Sequence, residues 1–433
     1  MYFKSQYKKF LYNNSYIFLY LIFISLVSIL SLYISYILGN KFPYLIDKNN
    51  NIILSRMMFD YGELVNNIFY SKKYSQVYNG VESYLIRLPL LPFVTTFIGK
   101  ISLNLYLFLL LKNIIFFSIY FLSALLFVQS RFLNKRLLIL TSLLSIYFYN
   151  FYNIITTLNF FTADSYISII LPSLFLLLIS NHNYRHIFIS ILLFFLYLSK
   201  TSMFFVAFIC PFIFYMVEKK SNFYKRLLPL FFLVIAVVSW GSFGLIKTGT
   251  FPFGSKHSST NQEGLSRILN SEFRNYYPHR SIDLIPFNKI DNIYKNEWEY
   301  FDHYKRNNLN YIKNNFSETF YGVLLKIKFI IFNYQKDGVF PDENGNYKNP
   351  VMISHILNRI LGLLFIIILV KKIIPSFNFR NLNKSDIYIL SLYLPFLFPY
   401  VVGWSTSKHL VPIFLVINIY LITELIKKKF NTL

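Results

Sequence analysis

Apolar runs long enough to cross a hydrocarbon layer recur along this whole chain, and that recurrence decides what it can fold into. Tyr16–Leu38, Leu105–Val128, Leu137–Ile155, Thr162–Ile179, Leu228–Leu245, Ile353–Val370, Ile387–Val402 and Leu410–Ile426 are the clearest. A soluble chain of 433 residues would divide into two or three domains. With 55% hydrophobic and only 14% charged residues, this one lacks the polar surface to do so. The expected fold class is an all-α polytopic membrane protein, one integral-membrane domain over residues 1–433.

Its 43 basic and 19 acidic residues leave a formal charge of +24. The basic residues do not form one stripe, which argues against a nucleic-acid partner. They sit in short clusters between apolar runs: Lys4/Lys8/Lys9, Arg131/Lys135/Arg136, Lys219/Lys220/Lys225/Arg226, Lys371/Lys372 and Lys427/Lys428/Lys429. That is the pattern of cytoplasmic loops under the positive-inside rule. Cys210 is the single cysteine, so no disulfide framework exists. Tyr16–Leu38 is too long for a signal-peptide core and no small-residue cleavage site follows it, so it reads as an uncleaved span. Neither a phosphate-binding loop nor a dinucleotide fingerprint is present, and the seven histidines show no metal-ligand spacing.

Placing every basic cluster on one side predicts about ten spans, with both termini cytoplasmic. Ile187–Val217 is informative: apolar over its length, basic at both ends, and interrupted by Lys200. Two basic ends require an even number of crossings, so the run predicts two short helices, Ile187–Leu198 and Met203–Met216, joined at an apex on the outer side. Each would be about 18–21 Å long, short of the roughly 30 Å hydrocarbon core. Residues 39–100 form a first outer loop with interfacial helices, and residues 247–352 a large outer loop. Phe320–Phe332, apolar but carrying Lys326 and Lys328, reads as an outer interfacial helix.

Under this topology Asp60, Glu63, Arg87, Asp164, Lys200 and Lys408 share the outer face. Ionisable residues near helix ends in a membrane are costly unless they face a cavity or a partner, so they are functional candidates. Lys112 lies about two turns into the second span. Glu63 also reads as a solvated helix-face residue, Asp164 also fits a helix start after Thr162, and Arg87 also fits a side chain reaching for headgroups.

In SRMMFDYGEL, Asp60 is followed by Tyr61, and 27 residues later by Arg87-Leu88-Pro89-Leu90-Leu91-Pro92. An acid, an aromatic and an R-x-P-x-x-P turn outside the first span resemble the GT-C superfamily of membrane glycosyltransferases. The likeness is to the bacterial branch with the protein-mannosyltransferase-like and aminoarabinose-transferase-like enzymes, which use polyprenyl-phosphate-linked sugars. It covers most of the chain as scattered short motifs. The family's second acid, opening the fourth span, looks like Ala163-Asp164-Ser165-Tyr166. Its L-T-R-P turn looks like Leu198-Ser199-Lys200-Thr201, with Lys for Arg and the Pro lost. Its F-G element is echoed by Phe243-Gly244 and TGTFPFGS, and its basic residue before a Pro by Lys408, His409 and Pro412.

The resemblance implies transfer of a sugar from a polyprenyl-phosphate donor to a lipid, glycan or protein acceptor of the cell envelope, at the outer face of a bacterial inner membrane. Asp60 would be the general base and Asp164 its neighbour, orienting the acceptor or a sugar hydroxyl. Arg87, Lys200, Lys408 and Lys112 would meet the donor phosphate. A divalent metal, Mg or Mn, is left open. Two other classes compete: an O-antigen-type polymerase, which Arg267, Arg274 and Arg280 of the large outer loop would suit, and a flippase of lipid-linked oligosaccharides or other transporter, which is not an enzyme.

Overall fold

The computed structural model describes residues 2–41, 46–56, 61–78, 81–85, 87–131, 136–150, 154, 157, 162–219, 221–254, 297–332, 349–373, 382–402 and 407–430. It is mostly helical, as hydrocarbon requires of a segment that must satisfy its own backbone groups. Among the described residues, four helices are long and apolar enough to cross a membrane: Ser15–Ile34, Leu105–Arg131, Phe223–Thr248 and His409–Ile426. Large apolar side chains cover their outer faces, Ile17, Phe18, Phe231 and Val234 among them. Such faces belong in lipid, and the chain is an integral membrane protein.

Helix α1 (Tyr2–Lys41) runs antiparallel to α4 (Leu105–Arg131). Tyr20 and Ser118 share a hydroxyl hydrogen bond of 2.8 Å, and Asn113 Nδ2 donates to Ser31 Oγ at 2.7 Å. Between them comes a small polar-faced layer: α2 (Tyr61–Asn66), a π-helical turn (Asn67–Ser71), a hairpin of β1 (Gln76–Tyr78) and β2 (Val81–Ser83), and α3 (Leu90–Ile101). Ile52, Leu54, Val65 and Ile98 give this layer its own core and seat it on Leu105, Phe108 and Leu109, at the start of α4.

The interfacial helix expected around Tyr61 is therefore only a short one. Lys72, at φ 56°, turns the chain left-handed and ends it. The hairpin departs from a purely helical expectation. The Glu63 carboxylate accepts from Val77 N at 2.9 Å and pins that hairpin to α2, while the side chain stays exposed.

The chain continues through α5 (Arg136–Ser145), α6 (Ala163–Ile179), α7 (Arg185–Ser199), α8 (Phe204–Val217) and α9 (Phe223–Thr248). After α10 (Glu297–Asn314) and α11 (Phe316–Phe332) come α12 (Asn349–Ile373), α13 (Lys384–Val402) and α14 (Ser407–Phe430). The run Leu137–Ile155, expected as one helix, stops at Ser145. Past that point Tyr147 donates to Ser168 O at 2.8 Å and Asn150 Nδ2 to Asn358 Oδ1 at 2.9 Å, so polar bonds tie the break to α6 and α12, and Ile154 and Thr157 are helical again.

Helix α6 is the axis of the bundle. All 17 of its residues are buried, and α4, α7, α13 and α14 surround it. Burial makes its ends expensive, because the first N–H groups and last C=O groups have no partner inside the helix. At the C-terminal end two guanidinium groups supply donors. Arg131 gives Nε and Nη2 to Ile179 O at 3.0 and 2.7 Å, and Arg185 Nη1 reaches Leu178 O and Ser180 O. At the N-terminal end Asp164 sits in the first turn, where a carboxylate suits the helix dipole.

These ends define the two ends of the bundle. The Arg185 end holds further ion pairs: Glu218 with Arg185, Lys384 and the Tyr388 hydroxyl, and Lys372 with Asp386 and Glu424 at 2.7 Å each. Burial pushes the Glu218 carboxyl up, but the hydrogen bond from Lys384 and the charge of Arg185 more than offset it, so its pKa lies below the ordinary carboxylate value.

At the opposite end the chain leaving α9 doubles back on it. Gly249, at φ 73°, closes the helix by donating its N–H to Leu245 O. Phe251 then lies on Gly241 and Pro252 on Gly244, where an added Cβ would stand 1.9 Å and 2.3 Å from those side chains. Trp240 Nε1 and the Tyr197 hydroxyl donate to the carbonyls of Gly254 and Phe253.

Candidate functional site

The expected pair of short helices is present: α7 and α8 are joined through Lys200 and a 3-10 turn, Thr201–Met203. Lys200 is extended (φ −160°, ψ 139°) and ends one helix while starting the next. Its carbonyl accepts from Met203 N at 2.9 Å, which fixes the apex. Gly254 of the doubled-back segment lies against Thr201, where a Cβ would come within 2.9 Å of Thr201 Cγ2. The apex is thus braced from behind and its ammonium is turned into the bundle.

There Lys200 Nζ donates to Asp164 Oδ1 at 2.8 Å. The other oxygen of Asp164 lies 3.6 Å from His409 Nε2, at the start of α14. Tyr400, from the last turn of α13, organises both partners of Asp164. Its ring stacks on His409 (centroids 5.4 Å, 23° between planes), and Lys200 Nζ stands 5.5 Å from the same ring. The Tyr400 hydroxyl shares a 3.0 Å hydrogen bond with Ser202. Three segments distant in sequence therefore meet around one carboxylate. Side-chain exposures of 17%, 9% and 14% for Lys200, Asp164 and His409 leave the group neither sealed nor solvated.

Arg87 is buried in the turn before α3, its guanidinium carbon 4.6 Å from the centroid of the Tyr61 ring, and its carbonyl accepts from the Tyr74 hydroxyl at 2.7 Å. Tyr61 packs into the same buried core as Tyr166 and Tyr400, which seats α2 on the bundle that carries the cluster. Lys112 is buried in α4, one turn before Phe116, whose ring stacks on Tyr166 at 4.4 Å. Since α4 and α6 run in the same direction, Lys112 is level with the N-terminus of α6.

Asp60 lies outside the described residues, next in sequence to Tyr61, as do Arg267, Arg274 and Arg280. Lys408 is in the first turn of α14, and its side chain is outside the description. Among the described residues, no three His, Cys, Asp or Glu side chains gather to hold a metal ion.

Sequence reasoning passed over Tyr400 and Ser202, because nothing separates one Tyr from the 35 others before the helices are packed. His409 carries a sequence signal as the neighbour of Lys408 before Pro412, but sequence does not tell which of the two turns toward Asp164.

Set against protein-family models, curated proteins and solved structures, the chain matches none of them. What the fold and the site define is a helical integral membrane protein with a partly buried, cation-rich cluster at one end of its bundle.

Proposed function

We propose that this chain is a GT-C-type glycosyltransferase of a bacterial inner membrane, with about ten spans, both termini cytoplasmic and the Asp164 end outside. It would move a sugar, with inversion, from a polyprenyl-phosphate donor to a lipid, glycan or protein acceptor. One observation carries the reading: Asp164, Lys200, His409 and the Tyr61–Arg87 pair, from five separate segments, converge at one end of the bundle. Cations gathered in a partly dehydrated place suit a ligand with a phosphate, whose negative charge grows as its bond to the sugar breaks.

In this reading the acceptor's oxygen or nitrogen attacks the anomeric carbon, the bond from that carbon to the phosphate oxygen breaks, and its electron pair leaves with the polyprenyl phosphate. Asp60 takes the acceptor's proton. Arg87, Lys200, Lys408 and Lys112 meet the phosphate, with Arg suited to two-point contact. Asp164 holds Lys200 and His409. Both its oxygens face those partners, so a Mg or Mn ion there would have to displace an ammonium.

In membranes supplied with donor, Asp60→Asn is expected to cut transfer by about 10²-fold or more while the protein stays folded. Near-normal transfer by that variant overturns the assignment.

A further inference from the structure

The geometry points to a role for His409 that rests on the reading above. We propose that His409 is the proton-dependent member of the anion site: as an imidazolium it joins Lys200 in holding the ligand's phosphodiester, and Asp164 is the positioning residue that fixes both.

The charges around Asp164 make the case. With His409 neutral, Lys200 and Asp164 cancel, at 2.8 Å. With His409 protonated, one carboxylate faces two cations, 2.8 Å and 3.6 Å away, and the group gains a net positive charge in a place largely shielded from water. Uncompensated charge there is costly until an anion arrives. Protonation and anion binding therefore favour one another, by the same free energy in each direction.

The titratable and charged groups around His409 are one acid, one tyrosine and several cations. Asp164 comes from α6, Tyr400 from α13 and Lys200 from the apex between α7 and α8. Arg359 of α12 lines the same groove as Leu410, Lys408 precedes His409 in the chain, and Lys112 of α4 is level with Asp164. Asp164 is thus the single acid among these named groups. The stacking of Tyr400 fixes the plane of the imidazole and, through the ring's negative face, supports the charged form. A histidine that merely packs on Tyr400 would have no effect on how binding responds to pH.

The test uses the full chain in detergent and a short-chain prenyl methyl phosphodiester, whose charge stays constant across the range. Affinity of the wild type is expected to fall roughly tenfold from about pH 5.5 to about pH 8.5, a range that brackets the ordinary imidazole pKa. His409→Gln should bind weakly at both ends of the range. His409→Lys, carrying a permanent cation, should bind tightly at both. Thermal unfolding of each variant checks that it folds.

Dimethyl phosphate and phosphatidylglycerol, added as competitors, tell a free or headgroup phosphate from an isoprenoid one. Displacement by either supports the His409 site and reassigns its source. A pH slope that survives in His409→Gln, or a wild type that binds without a slope, overturns the inference and leaves the transfer reading standing. A wild type that does not bind at any pH overturns the inference together with the phosphate part of that reading, while the Asp60→Asn transfer rate is read independently.

Discussion

At the scale of single residues, Asp164 and Lys200 are energetically coupled through their 2.8 Å ion pair. Removing the carboxylate strands a partly buried ammonium, whereas removing both partners strands nothing. Asp164→Asn is therefore expected to destabilise the protein by ~1–3 kcal/mol, and Asp164→Asn combined with Lys200→Met by less than the sum of the two single changes. Thermal unfolding in detergent measures both. Glu218 makes a prediction about pH. Its folded pKa is depressed below the 4.5 of the unfolded group, so its contribution is fully present above that value and lost as pH falls through the lowered one. Unfolding followed down from neutral pH should show that loss, and Glu218→Gln should remove this part of the slope.

At the scale of elements, α6 and the doubled-back segment behind Lys200 are the parts to disturb. Arg131→Ala withdraws both donors from Ile179 O at the buried C-terminus of α6 and is expected to cost ~1–2 kcal/mol. Gly241→Ala puts a methyl group 1.9 Å from the Phe251 ring, and helix backbone cannot retreat, so the segment must lift. Trp240, which donates to Gly254 O, then loses its partner, and its fluorescence should report the change.

Much of this level was legible in the sequence. A lysine in the middle of an apolar run with basic ends forces a hairpin, and Lys200 is at its apex. Other parts were not. Arg131 and Arg185 look like ordinary positive-inside residues, because a loop cation and a helix-capping cation have the same composition and spacing. The glycines of WGSFG gave no hint of which ring they would meet, since that depends on the φ of Gly249. Asp164 and Lys200 could be placed on one face by counting spans, but their bond requires the packing of α6 against the apex of α7 and α8.

At the scale of the whole molecule, the account depends on which end faces outward. The only cysteine, Cys210, is buried, so single engineered cysteines report without background. Lys48→Cys, exposed at the Asp164 end, should react with a membrane-impermeant maleimide added to intact spheroplasts. Asn183→Cys, exposed at the Arg185 end, should react only after permeabilisation. The opposite result would invert the topology. The most direct test of the central claim is a structure of the chain in a lipid nanodisc with polyprenyl phosphate bound. The phosphate is expected within ion-pair distance, about 4 Å, of Lys200 and Arg87. A phosphate held instead among Arg131, Arg185 and Lys384 would contradict it.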